Sequence, residues 1–341
     1  MAVEFGIYVN NRAAVFLGEG YRLDMLLRAA EVAEELGFDF VSVGDSILAK
    51  PRYMPIPVLS NIAARTRRIR LATGILQPHM RHPVLLAQDW ATLDALSGGR
   101  SILVAGLGTG DRQMVEREYE LIGIPKARRG KAFEECLMLL KRLWTEEQVT
   151  FSGEVYQIRE VSIGYRPVQL PHPPVVIAAG GFVPEQAGVG PNDFYTPETA
   201  GTFHGPVERV ARLGDGWMTG IITPEEYEGN LRLIRSLARE KYGRELGPAF
   251  RATLNCFIHV GPDYAAARAE GVGFMTRYHR LPFDDETVNR WLICGDPAQC
   301  AERINRYIAA GVNALQFVLA AEDQLTQIQR IAEKVRPLCR I

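Results

Sequence analysis

The sequence has no uninterrupted apolar run of about 18 residues, so no membrane-spanning helix is expected. Its start, "MAVEFGIYV", lacks the basic head and long apolar centre of a secretory leader, and a cytoplasmic protein is expected. The five cysteines (Cys136, Cys256, Cys294, Cys300 and Cys339) are scattered and form no CxxC. That argues against a disulfide framework and for reduced, mostly buried thiols. Six histidines make no HExxH pattern, and the pair in "PHMRHP", His79 and His82, has no acidic or cysteine cluster beside it. No metal site is expected there. Neither sign of charge dominates, with a formal net charge of −1, and the one basic run, "ARTRRIR" (64–70), is short and interleaved with apolar residues. Nothing in that balance draws the chain to nucleic acid or to an anionic membrane. A GxSxG nucleophile elbow is also missing, as is a GxGxxG opening the first strand–helix unit, and no lysine ends a candidate strand.

What is present is a regular alternation. Eight short apolar runs occur, at 5–9, 38–43, 68–76, 101–110, 173–181, 217–221, 250–260 and 313–320, with amphipathic segments between them. Several of these segments carry helix punctuation. "PVLLAQDWATLDALSGG" (83–99) starts with proline and ends with paired glycines. At 223–243, Thr223 is the expected N-cap, Pro224 the first helical residue, Glu226 the second half of a capping box, and Gly243 the stop. Asp296 and Pro297 open another helix in the same way. Eight strand–helix units with apolar strands predict a closed α/β barrel, a (β/α)8 fold, over an open sheet. No linker divides the chain, so 1–341 is expected to be one domain. Segments near 111–125, 145–172 and 182–205 are expected as insertions on barrel loops, and 149–158 as a hairpin.

Active sites of such barrels sit at the carboxyl ends of the strands. Those ends carry Asn10, the pair Asp45–Ser46, Gly74, Ile75 and Gln77, and the glycine-rich "GLGTGD" (106–111) with Gly108, Thr109 and Asp111. Gly180 and Gly181 end the fifth run, and a helix begins near Gly205. Exposed N–H groups in that last region can hold a phosphate. Asp45 and Asp111 equally suit a turn or a helix cap, Asn10 a turn, and the glycines ordinary tight turns. Nucleophiles are scarce at these ends, which points to a cofactor carrying the difficult chemistry.

With those residues in view, the sequence resembles the bacterial-luciferase-like flavin-dependent oxidoreductases. "AARTRRIRLATGIL", "RHPVLLAQ", "ATLDALSGGR" and "GLGTG" match that family's pattern in order. "RRGKAFEECLMLLKRLW", "PPVVIAAGG", "ARLGDGW" and "GDPAQCAERI" follow, so the likeness covers nearly the whole chain. The resemblance implies a flavin-type cofactor in the barrel mouth. It implies a third-strand bulge with a non-proline cis bond at Thr73, Gly74 and Ile75, which supports the ring. It puts Gly180, Gly181 and Gly205 in the phosphate-binding region. Two cofactors fit: reduced FMN, with O2 and a small organic substrate in a monooxygenase, or coenzyme F-420, with hydride transfer in a reductase or dehydrogenase. A separate flavin reductase and a homodimer are implied partners, and a non-catalytic flavin-binding barrel is a further alternative.

Candidate catalytic residues are Asp45, Ser46 and His79, the last as a substrate-side donor. Asn10, Gly108, Thr109 and Asp111 are expected to contact the ring or the substrate. The chain departs from the family in two places: Ser46 stands where many members have histidine, and "FVPEQAGVGPNDFYTPETAGTF" (182–203) lengthens the usual path after "GG". A hydroxyl cannot replace imidazole as a base near neutral pH, so no catalytic histidine is expected at position 46.

Overall fold

All eight apolar runs form strands, and they close on each other. The computed structural model describes residues 2–16, 22–108, 112–180 and 205–340. Its strands are β1 (Glu4–Tyr8), β2 (Phe40–Val43), β3 (Arg70–Thr73), β4 (Ser101–Ala105), β5 (Val149–Ser152), β6 (Gln157–Val161), β7 (Val175–Ala178), β8 (Gly216–Thr219), β9 (Arg251–Val260), β10 (Leu292–Gly295) and β11 (Ala314–Leu319). Its helices are α1 (Ala13–Phe16), α2 (Leu23–Glu35), α3 (Pro55–Arg65), α4 (Pro83–Ser97), α5 (Arg112–Ile122), α6 (Arg129–Thr145), α7 (Gly205–Leu213), α8 (Pro224–Tyr242), α9 (Tyr264–His279), α10 (Asp285–Trp291), α11 (Pro297–Ala309) and α12 (Gln324–Arg330). Parallel pairing runs β1–β2–β3–β4–β7–β8–β9–β11 and returns to β1, giving the expected (β/α)8 barrel.

Two departures from the eight-strand expectation matter for the site. β9 is long, and its far half pairs outside the ring with β10, from Phe257↔Leu292 to Val260↔Gly295. The strand at 292–295 escaped sequence reading because four apolar residues between a helix and an aspartate cap carry no period. The hairpin β5–β6 does form, antiparallel as expected, but it enters between α6 and β7 and lies along α6. There the buried carboxylate of Glu135 accepts the N–H groups of Glu154, Val155 and Tyr156 at 2.8, 3.0 and 3.0 Å.

The barrel interior has its own small core of Phe40, Ala72, Ile102, Val104, Val176, Met218 and Ala314. Below it, at the amino ends of the strands, the Arg251 guanidinium lies 4.5 Å over the Phe40 ring and pairs with Glu4, which also meets Arg70 at 3.3 Å. This filling occupies the amino ends of the strands and leaves the carboxyl ends as the mouth. The five cysteines are buried and unpaired. Among the described residues, no helix is long and apolar enough to cross a membrane.

Candidate active site at the carboxyl ends of the strands

The floor of the mouth is built by one extra residue. β3 pairs with β4 at Ala72↔Ile102 and again at Leu76↔Ala105. Three residues, Thr73, Gly74 and Ile75, therefore face two, Leu103 and Val104, and β3 bulges. The Gly74–Ile75 peptide within the bulge is cis, as the family resemblance implied. The Thr73 hydroxyl repairs the broken ladder by donating to the Val104 carbonyl at 2.8 Å and accepting its N–H at 2.9 Å. Thr73 is thus spent inside the wall and is not aimed at a ligand. Ile75 packs on top of the interior core. A methyl group on Gly74 would stand 3.0 Å from Gln316 Oε1 and 3.1 Å from Ser42 Oγ, so glycine keeps this floor open.

Around that floor lie buried polar atoms with no hydrogen-bond partner among the described residues: Ser42 Oγ, Gln77 Oε1 and Gln316 Oε1. Gln316 is oriented by donating to Asn255 Oδ1 at 3.0 Å. Orphaned buried polar groups are costly, and here they come from the second, third and eighth strands of the ring. A flat ring edged with carbonyl and N–H groups fits such a set, as both flavin and deazaflavin rings are. Ser42 and Gln316 were missed in the sequence because a lone polar residue inside an apolar strand gives no motif.

Asp45 has a different task from the one expected. Its carboxylate is fully buried and forks with Arg81, at 2.7 and 2.8 Å, while Oδ2 also accepts the Gln77 N–H at 3.0 Å. Both oxygens are engaged in holding the segment that follows the bulge. Ser46 is likewise internal: its hydroxyl accepts the Lys50 N–H at 2.9 Å and lies 3.3 Å from Glu118 Oε1. The same Glu118 oxygen accepts the N–H groups of Ile47, Leu48 and Ala49 at 3.1, 2.6 and 2.9 Å. Asp45 and Ser46 are positioning residues that shape the β2 and β3 loops.

His79 does not reach the mouth. It is 1% exposed, its Nε2 lies 2.7 Å from the Tyr119 hydroxyl, and Phe133 packs against the ring edge at 5.7 Å. Burial, reinforced by Arg129, Arg209 and Arg81, lowers its pKa from 6.5 to about 3. The unfolded chain takes up this proton near 6.5 and the folded chain does not until about 3, so the stability gained by keeping His79 neutral is full above 6.5 and falls with pH below it. Urea unfolding should show about 1.4 kcal/mol lost per pH unit from this residue below that point, a slope that His79→Gln removes. An imidazole that titrates near 6.5 in the native protein would contradict this placement.

The other expected residues divide. Asn10 Oδ1 accepts the Ala13 N–H at 3.0 Å, while its buried Nδ2 has no partner among the described residues and remains suited to a ligand. Gly108 has φ +78° and abuts the Gln77 amide, where any side chain would overlap. Gly180 follows β7, and Gly205 opens α7. Thr109, Asp111, Gly181 and the 182–203 insertion lie outside the described residues.

The side of the mouth formed by β9, α9 and α10 is aromatic. Trp291 stands edge-on to Phe257 at 4.8 Å and lies 5.0 Å from His279, which meets Phe283 at 5.2 Å. Such a wall excludes water from whatever binds beside it.

The luciferase-like monooxygenase family model matches residues 3–189, more than half of the chain. The chain belongs to that family. It is similar to the F420-dependent glucose-6-phosphate dehydrogenase of Intrasporangium calvum, with 28% identity over 89% of this chain and 91% of that one. The enzyme of the same description from Beutenbergia cavernae is 29% identical over 92% and 93%. Among solved structures, the monooxygenase RslO1 from Streptomyces bottropensis superposes with a TM-score of 0.79 at 25% identity, covering 98% of this chain and 99% of that one. An F420-dependent secondary alcohol dehydrogenase, solved with an F420–acetone adduct, shares the fold with a TM-score of 0.76 at 19% identity over the full length of both. This member of the luciferase-like family is an oxidoreductase, and its relatives and neighbours include users of F420 and of FMN.

Proposed function

We propose that this oxidoreductase uses coenzyme F-420 and moves a hydride between the deazaflavin and a small organic substrate. The observation that carries this reading is the match, along about nine-tenths of both chains, to F420-dependent dehydrogenases. It shifts the weight from the FMN-and-O2 monooxygenase to the F-420 alternative. Bound F-420 supplies hydride donor and acceptor chemistry at one ring carbon. Ser42 and Gln316 suit the polar edge of its ring, with Asn10 Nδ2 a further donor. The bulge at Gly74–Ile75 offers a face to lean on, and Gly180 with the start of α7 suits the phosphate side. The aromatic wall keeps water from the transferring hydride. The closed ring of eight strands also speaks against the non-catalytic alternative, whose members tend to lose barrel elements. The reading takes 1–341 as one barrel domain and the homodimer as its assembly.

Fluorescence titrations of the purified protein with F-420 and with FMN, run separately, test the assignment. The expected result is tight binding of F-420 alone. Tight binding of FMN alone, with substrate-dependent O2 consumption, would favour the reading suggested by the likeness to RslO1.

A further inference from the structure

The aromatic wall of the mouth holds two ring nitrogens, His279 Nε2 and Trp291 Nε1, that are buried without a hydrogen-bond partner among the described residues. They belong to the last residues of α9 and α10, and the two rings lie 5.0 Å apart, inclined at 47°. Both rings stand against Phe257, at 5.7 and 4.8 Å. Phe257 lies two residues beyond Asn255 on β9, so the two share one face of the strand. That face looks into the barrel: Asn255 accepts from Gln316, whose Oε1 is 3.0 Å from where a methyl group on Gly74 would stand. Trp291 Nε1 in turn is 3.5 Å from where a methyl group on Gly220 would stand, and Gly220 directly follows β8 at its carboxyl end. The two nitrogens therefore sit above the floor, on the mouth side of the ring. Phe283 lies 5.2 Å from His279, and Tyr278 stands edge-on to it at 4.9 Å. Beyond these rings, Arg12 lies 4.9 Å over Tyr278, and Arg52 donates to the Tyr8 hydroxyl at 2.7 Å. Burial, then Lys50, Arg12 and Arg52, lowers the His279 pKa from 6.5 to about 3, so its imidazole is neutral near pH 7.

We infer that His279 and Trp291 together hold the oxygen of the substrate's reacting group, a ketone or secondary alcohol on an apolar body. This rests on reading the mouth as the F-420 active site. Two buried ring nitrogens without partners are unfavourable, and a ligand oxygen placed between them offsets that cost. The indole nitrogen can only donate. The neutral imidazole carries one proton, and an oxygen acceptor at Nε2 selects the tautomer that donates from there. Two donors on one oxygen suit a carbonyl that receives a hydride, because negative charge grows on that oxygen. The carbon-rich surround of Phe257, Phe283 and Tyr278 suits an apolar body beside it. The Ser46 hydroxyl is spent on Lys50 and Glu118, so these ring nitrogens reach the mouth from α9 and α10 and not from the loop after β2.

Acetone and cyclohexanone are the probes, one small and one ring-sized. Isotope labelling of the tryptophan indoles gives each N–H its own NMR resonance, and Trp291→Phe identifies that of Trp291. Titration of the protein with each ketone, with and without F-420, should move the Trp291 resonance. It should leave that of Trp144, whose N–H is committed to the Ala87 carbonyl at 3.0 Å. Ketone affinity, read from the ketone's own signals, should fall about threefold to tenfold in His279→Phe and in Trp291→Phe, the effect of one neutral hydrogen bond. His279→Gln keeps a donor and should lose less. Thermal melting confirms that each variant is folded. A Trp291 resonance that answers neither ketone in either state would overturn the inference, as would ketone affinities equal to wild type in both phenylalanine variants. In a protein that binds F-420, either result leaves the cofactor reading in place. A Trp291 response that weakens in His279→Phe, in a protein that binds no F-420, would uphold the oxygen site and remove the F-420 reading instead.

Discussion

Asp45→Ala should cost about 3–5 kcal/mol of folding stability, the loss typical of a buried ion pair stripped of one partner. The variant leaves the Arg81 guanidinium, 17% exposed, with neither of its carboxylate contacts, and frees the Gln77 N–H. Urea unfolding measures the loss. Because Arg81 and Gln77 anchor the segment next to the bulge, deazaflavin affinity should fall as well, although Asp45 need not touch the ring. The double variant Asp45→Leu/Arg81→Met separates the two effects. It removes both charges, so most of the stability should return, because paired buried charges replaced by apolar groups of similar size are often near neutral. Wild-type stability in Asp45→Ala alone would contradict the buried ion pair and return Asp45 to the role of a simple turn residue.

Glu118→Ala should have the next largest effect, roughly 3 kcal/mol, since several donors lose their buried acceptor together and the loop recovers only part of that through water. One Glu118 oxygen receives the N–H groups of Ile47, Leu48 and Ala49 and lies near the Ser46 hydroxyl. Amide hydrogen exchange is the direct readout. These amides should be protected in the wild type and exchange rapidly in Glu118→Ala. Glu118→Gln keeps one carbonyl acceptor and should fall between them. Protection that survives the alanine substitution would show that the 46–52 loop holds its shape by other means.

Among the described residues, Glu118 is one of three glutamates used in the same way. Glu34 accepts the N–H groups of Arg67, Arg68 and Ile69, with contacts between 2.7 and 3.0 Å. Glu135 does the same for 154–156. Each reaches from a helix to a loop far away in sequence and stands in for missing backbone partners. On the sequence each is an ordinary helix glutamate, and no spacing distinguishes it from its solvated neighbours.

Local signals were legible because their partners are close in the chain. The capping box at Thr223 and Glu226 forms both of its hydrogen bonds, Gly243 ends that helix in the left-handed conformation, and Asp296 caps α11. The order of strands was legible for a related reason: apolar runs alternating with amphipathic helices leave a parallel barrel as the arrangement that buries both. The Gly74 bulge was reached through the family resemblance, since no local pattern announces a cis peptide.

What only the tertiary structure decided is which polar groups meet. Asp45 was legible as a strand-end acid, but its partner Arg81 lies 36 positions along the chain, and that pairing turns it from a candidate catalyst into a clamp. His79 reads as a mouth residue until Tyr119, 40 positions away, and Phe133 close over it. Arg12 and Arg52 attract no notice in sequence, yet β1 and β2 bring them to one side of the mouth. The division follows from range. Helix caps and hydrophobic periods act over a few residues and are written into the sequence locally, whereas the charge and solvation of a side chain depend on neighbours that only barrel closure supplies.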